Sequence, residues 1–287
     1  MPLQRLVLQV SMFVSLVVAL MCGARAAHAG AIEIERMTWI EVRDAVAHGA
    51  TTAIVPTGGT EQNGAHMVLG KHNFIVAEAA RRIARELGDT LVAPVLAYVP
   101  EGDIATRAGH MAYAGTLSLP EPVFEAVIEA AAQSLGAHGF KTIVLLGDSG
   151  GNQGPQARLA ERLTKAWSGD GIVVLNAAAY YAEGEAHSWL ESIGVPAAEI
   201  GTHAGVRDTS ELMAVFPAGV NLDHATAGAD GATGDARLAS RERGERLLSL
   251  KVEAAVAEIR AARERERAST EARSPGLLPW LYRLIAG

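Results

Sequence analysis

The sequence holds a single cysteine in 287 residues, Cys22, and it lies in an N-terminal apolar stretch. A disulfide-stapled fold is therefore excluded, as are a thiolate nucleophile and a sulfur-bound metal in the body of the chain. Basic residues are in deficit, with a formal net charge of −7, so the surface lacks the positive face that nucleic acid requires. Charged residues are only 20% of the chain and 49% is apolar, which argues against disorder and allows one large domain with its own core. No internal repeat is visible, and no Gly-Lys-Ser/Thr follows any glycine cluster, so a phosphate-binding loop of the Walker type is absent.

What is present begins with Arg5, the only charge ahead of an apolar run from Leu6 to Met21, which is followed by Ala27-His28-Ala29. That order is a secretory signal with a small-x-small cleavage site. Residues 1–29 are read as a signal peptide, placing the mature chain in the periplasm or outside the cell, with its start near Gly30. Residues 30–265 are read as the domain. Residues 266–287 are read as a polar linker and a short apolar tail around Trp280, which offers a contact to a membrane surface or a second subunit.

Apolar runs and helical spacings alternate through the domain. Thr51–Pro56, Thr90–Tyr98, Lys141–Leu146 and Gly171–Leu175 read as strands. Asn73–Leu87, Glu121–Ala137, Gln156–Trp167 and Asp235–Arg265 read as helices. Apolar strands separated by helices predict a three-layer α/β/α fold with a mostly parallel central sheet. Ligands in such folds bind beyond the C-terminal strand ends, where Pro56–Asn73 and Gly147–Asn152 both fall.

Three polar clusters collect there. The first, Gly58 to Asn73, carries Glu61, Asn63, His66 and His72, a carboxylate and two imidazoles that suit zinc or manganese. The second, Gly147 to Asn152, offers Asp148 as a ligand, Ser149 as a hydrogen-bonding group, and Asn152 as either a substrate contact or a helix cap. The third, Thr202 to Glu211, offers His203 as a general acid or base, since its ordinary pKa is close to neutrality, and Asp208 as a second acid or a helix start. His110 is a weaker candidate. Tyr180, Tyr181 and Trp189 are candidates for lining a pocket, with core packing expected for at least two of them.

Taken in order, these segments resemble the creatininase (creatinine amidohydrolase) family from about Met37 to Ile259. The resemblance rests on Met37-Thr38-Trp39, Pro56-Thr57-Gly58-Gly59-Thr60-Glu61-Gln62, Gly115-Thr116, Gly150-Gly151-Asn152, His203-Ala204-Gly205 with Thr209-Ser210, and Gly234-Asp235 with Arg243-Gly244. It implies an α/β hydrolase acting on cyclic amides, formamides or peptides, one or two divalent metals around an activated water, and a homo-oligomer, often a hexamer. By position it implies that Glu61 binds metal and that His203 passes a proton to the leaving nitrogen. The chain departs from the pattern where Asn63, His72 and Ser149 replace usual ligands, and where Asp208 replaces a Glu.

The resulting expectation is an exported hydrolase of a non-peptide C–N bond in a small amide or lactam. It would use one divalent metal, Zn or Mn, held by Glu61, His72 and Asp148, with His203 as the catalytic residue. Asn63, His66, His110, Ser149, Asn152 and Asp208 would contact substrate or support the ligands. The alternative is a non-catalytic exported protein that binds a small ligand in an eroded metal site.

Overall fold

The computed structural model describes residues 31–273; the expected signal segment and the apolar tail lie outside that range. Strand β1, Thr52–Thr57, is buried at all six positions, so it must lie inside a sheet covered on both faces. It pairs in parallel with β2 (Thr90–Val92) on one side and β3 (Thr142–Gly147) on the other. Strand β4 (Val173–Asn176) pairs with β3, giving a parallel sheet of order β2-β1-β3-β4. The register sets Thr57 opposite Gly147, so the loops after β1 and β3 leave the sheet side by side.

Successive strand residues feed two separate cores. Ile54, Val144 and Leu146 pack against α2 (Lys71–Leu87) and the C-terminal helix on one face. Val55, Ile143 and Leu145 pack against α3 (Glu121–Ala137) and α4 (Gly150–Ala166) on the other. Each fully buried aliphatic side chain contributes about 1.5–3 kcal/mol, which makes these two cores the main stabilising force. The three-layer α/β/α architecture with a parallel sheet is the one the alternating pattern predicts. A short helix, α1 (Trp39–Ala47), covers the edge near β2 and is closed by a capping box between Thr38 and Glu41.

Three elements differ from expectation. The run Thr90–Tyr98 forms a ladder only to Val92; beyond it Ala93 and Leu96 donate to the Ile54 and Pro56 carbonyls, three residues apart instead of two, so the regular alternation breaks there. Helix α4 starts at Gly150, so the glycine-rich turn is its first turn, and its N-cap is Ser149 rather than Asn152. Asp235 caps a separate short turn, Ala236–Leu238, so the C-terminal helix begins at Arg241 and then runs past Arg265 to Arg273. The remaining helices are α5 (Ala178–Tyr181), α6 (Gly184–Ser192), α7 (Ala197–Ile200), α8 (Val206–Val215) and α9, the C-terminal helix. Among the described residues, no helix is long and apolar enough to cross a membrane.

Candidate active site

A cavity of about 430 Å³ opens at the C-terminal edge of the sheet, and its lining includes Glu61, Lys71, His72, Glu101, His110, Ser149, Tyr181, His203, Arg207 and Asp208. The three clusters expected from the sequence thus meet in one place. They arrive from the β1–α2 loop, the β3–α4 turn and the start of α8, with His110 and Glu101 added by the long segment between β2 and α3.

His72 sits at the first turn of α2, buried, with its Nδ1 2.8 Å from Asp148 Oδ2 and its Nε2 2.8 Å from Glu61 Oε1. Burial and the nearby Lys71 charge oppose a proton here, but the two carboxylate hydrogen bonds overcome both and raise the imidazole to about 9. Each ring nitrogen faces an oxygen that only accepts, so the imidazolium is the form that satisfies both. Asp148 is equally committed. Its Oδ1 accepts from Tyr180 at 2.6 Å and from Lys251 at 2.7 Å. Burial would raise the Asp148 carboxyl, yet the Lys251 charge and the His72 hydrogen bond hold it well below the usual carboxylate range. The structure places the expected ligands His72 and Asp148 in a hydrogen-bonded chain with Glu61, outside the group of donor atoms that converge.

The donor atoms that do converge belong to Glu61, His110 and His203, all within 4.8 Å of one another. His110 Nε2 lies 3.1 Å from Glu61 Oε2, and His203 Nδ1 lies 3.7 Å from Glu61 Oε1. The far nitrogens of both rings are steadied by one side chain. Gln62 Nε2 is 3.0 Å from His110 Nδ1 and 3.0 Å from His203 Nε2. His203 Nε2 also lies 2.9 Å from the Gln62 carbonyl, and Nδ1 is the ring nitrogen turned toward Glu61. Burial, then the Lys71 charge, lower His203 to about 4, so it is a neutral base or ligand at neutral pH. Burial would raise Glu61, but the His72 hydrogen bond and charge, with Lys71, hold it ionised well below the usual range. Two neutral imidazoles and one carboxylate are the donor set of a three-ligand catalytic metal site with an open position. The residues present fit one divalent ion.

Glu101 is the carboxyl that the sequence did not single out. It is buried, its Oε2 accepts from Ser149 at 3.0 Å, and its Oε1 has no donor within reach among the described residues. Burial first, and the facing Glu61 carboxylate second, push it up to about 8, so it carries a proton at neutral pH. Gly59 makes room for it, since a side chain there would collide with Glu101 Oε1.

The other expected residues hold the loops. Asn63, buried, donates to the carbonyls of Glu61, Val68 and Leu69 at 2.9, 3.1 and 3.3 Å. His66 pins α8 through Thr209 Oγ1 at 3.0 Å. Asn152 donates to Thr57 Oγ1 at 2.8 Å and to the Gly58 carbonyl at 2.9 Å, tying the β1 loop to α4. Asp208 accepts from the buried Lys71 at 2.7 Å and from Ala204 N–H at 3.0 Å. Ala204 takes a positive φ of 52°, a strained conformation next to His203. Of the three aromatic candidates, Tyr180 and Trp189 pack in cores and Tyr181 lines the cavity. Lys71, Arg207 and Glu211, inside the clusters marked by the sequence, and Lys251, outside them, complete the charge network.

Residues 35–259 match the family model Creatininase, described as creatinine amidohydrolase. The chain is 26% identical to a creatinine amidohydrolase from Pseudomonas putida over 251 residues, 79% of this chain and 95% of that one. It is 28% identical to a mycofactocin precursor peptide peptidase from Mycolicibacterium smegmatis (strain ATCC 700084 / mc(2)155), over 61% of this chain and 62% of that one. A tryptophan-to-alanine mutant creatininase has the same fold, with a TM-score of 0.69 at 25% identity, covering 81% of this chain and 98% of that one. A further solved structure, described as the manganese form of creatininase, superposes with a TM-score of 0.67 at 24% identity, covering 81% and 98%.

Proposed function

Because the chain belongs to the creatininase (creatinine amidohydrolase) family, we propose that it is a metal-dependent hydrolase of a non-peptide C–N bond in a small amide or lactam. The observation that carries this reading is the convergence of Glu61, His110 and His203 on one cavity that also holds a buried carboxyl, Glu101, facing Glu61. Glu61, His110 and His203 would hold one zinc or manganese ion. When bound, that ion would polarise the substrate carbonyl and ease the deprotonation of water.

The chain's own residues supply the rest. Hydrolysis adds water to the carbonyl carbon and breaks the C–N bond, and the leaving nitrogen gains a proton. The sequence suggested His203 for that transfer, but a neutral His203 that ligates a metal through Nδ1 would have no proton to give on that side. Glu101 is better placed. It carries a proton, faces the cavity, and is held by Ser149. In this reading Glu101 gives its proton to the leaving nitrogen and recovers one from the attacking water. His72, fixed between Asp148 and Glu61, holds the Glu61 carboxylate in place.

The test is turnover of a panel of lactams, cyclic ureides, linear amides and short peptides with added Zn²⁺ or Mn²⁺. Hydrolysis of a small amide or lactam is expected, and Glu101→Gln should lower kcat by ~10²–10⁴-fold while keeping metal. The replacement of usual ligands by Asn63 and Ser149 favours the second reading, a non-catalytic ligand binder. That reading predicts affinity for panel compounds with no turnover at any metal concentration. We also propose export through residues 1–29, motivated by the Arg5, Leu6–Met21 and Ala27-His28-Ala29 series. N-terminal sequencing of periplasmic protein should begin near Gly30, and full-length chain in the cytosol would contradict it.

A further inference from the structure

We infer that Lys251, on the C-terminal helix and outside every motif of the sequence, is a positioning residue for the metal site, acting through Asp148 and His72 on Glu61. The inference rests on the metal reading above and extends it to a residue outside the lining of that cavity.

The path is continuous, and it is buried from Asp148 to Glu61. Lys251 Nζ lies 2.7 Å from Asp148 Oδ1. Asp148 Oδ2 lies 2.8 Å from His72 Nδ1, and His72 Nε2 lies 2.8 Å from Glu61 Oε1. Each link is between a donor and an oxygen that only accepts, so the orientation of each group is set by the previous one. Asp148 has two further constraints at its Oδ1 end. Tyr180 O–H donates at 2.6 Å, and the Tyr180 ring lies under Lys251 Nζ at 4.4 Å from its centroid. The Lys251 ammonium is therefore held by two carboxylates and a ring face, with Glu211 Oε2 as its second carboxylate at 2.9 Å.

This arrangement does more than neutralise buried charge. Glu61 is the only carboxylate in the converging donor set, and one of its two oxygens is occupied by His72. The direction of the other oxygen toward His110 depends on that hydrogen bond. If the Asp148 carboxylate turns, the His72 ring turns with it and Glu61 loses its fixed plane. Partners behind metal ligands matter for this reason, and their loss typically costs ~10–100-fold in affinity.

A purely structural role for Lys251 is the competing account, because Lys251→Met strands Glu211 as well as Asp148. The two accounts separate in a pair of variants, Lys251→Met and Lys251→Met/Glu211→Gln. The second variant removes the stranded Glu211 charge while leaving Asp148 without its ammonium. Affinity for Zn²⁺ alone is measured by competition with a chromophoric chelator, and melting temperature by circular dichroism, on the full chain. We expect a roughly 10-fold loss of Zn²⁺ affinity in both variants, with melting temperature partly restored only in the second, and Lys251→Arg close to wild type. Affinity that recovers together with melting temperature, or that never falls, would overturn the inference while the metal reading stands. Absence of Zn²⁺ binding by the wild-type chain would overturn both, and that result appears in a different sample.

Discussion

The buried His72 makes the metal-free protein sensitive to alkaline pH in a calculable way. Its value is raised from 6.5 to about 9 by Asp148 and Glu61, against burial and Lys71. Below pH 6.5 the imidazole is protonated in folded and unfolded chains alike, and its contribution to stability is complete. Between 6.5 and 9 the unfolded chain gives up its proton first, so the folded state loses its advantage progressively. Above 9 the contribution is gone. The difference between the two values is worth about 3 kcal/mol. His72 is buried, so solvent screening takes little from that figure. Glu101, raised to about 8, adds an alkaline loss of its own in both chains, a larger one in His72→Asn, where the opposing His72 charge is gone, so about 3 kcal/mol is the upper bound on the difference. The assay is urea unfolding of chelator-treated wild type and His72→Asn at pH 6 and pH 9.5. Wild type should lose up to about 3 kcal/mol more than the variant across that interval. Equal losses in the two chains would refute the claim that His72 is held as an imidazolium between two carboxylates.

Two further outcomes follow from the same network. Lys71→Met leaves Asp208 without its 2.7 Å partner and Glu61 without a cation at 3.7 Å. It should cost about 3–5 kcal/mol, partly recovered in Lys71→Met/Asp208→Asn; equal denaturation midpoints for wild type and the single variant would contradict it. Asn152→Ala removes the hydrogen bonds to Thr57 and Gly58 that hold the β1 loop. A loss of about 1–3 kcal/mol is expected, and an unchanged melting temperature would show that this tie is dispensable.

Much of the fold was legible in the sequence, because strands buried on both faces leave continuous apolar runs such as Ala53-Ile54-Val55 and Ile143-Val144-Leu145-Leu146. Those runs fix the parallel sheet and place the loops that follow β1 and β3 at one edge. Element ends were less legible. Ser149 and Asn152 are both plausible caps by residue type, and the choice was made by the acceptors that Thr57 and Gly58 place across the strands.

The site was legible in part for a different reason. Glu61, His110 and His203 were visible as residue types in loops, but which donor atoms remain open is a property of side-chain pairing. His72 and Asp148 have the right chemistry for a metal, but they pair with each other, and the further partners of Asp148, Lys251 and Tyr180, lie 103 and 32 residues from it. Glu101 was missed because a single Glu between Pro100 and Gly102 has no periodic or motif signal. Its role depends on burial, on Ser149, and on a neighbouring glycine. Rules about ligand types could not have separated these two sets of residues without the tertiary contacts.

The most direct test of the account is the metal content of the protein at equilibrium. Purified wild type, Glu61→Gln, His110→Ala and His72→Asn are dialysed against Zn²⁺ or Mn²⁺ and the bound metal is counted per chain. The account predicts one ion per wild-type chain, loss of that ion in Glu61→Gln and His110→Ala, and retention with weakened affinity in His72→Asn. A wild type that binds none, or a His72→Asn that loses the ion completely while His110→Ala keeps it, would contradict the assignment of Glu61, His110 and His203 as the metal site.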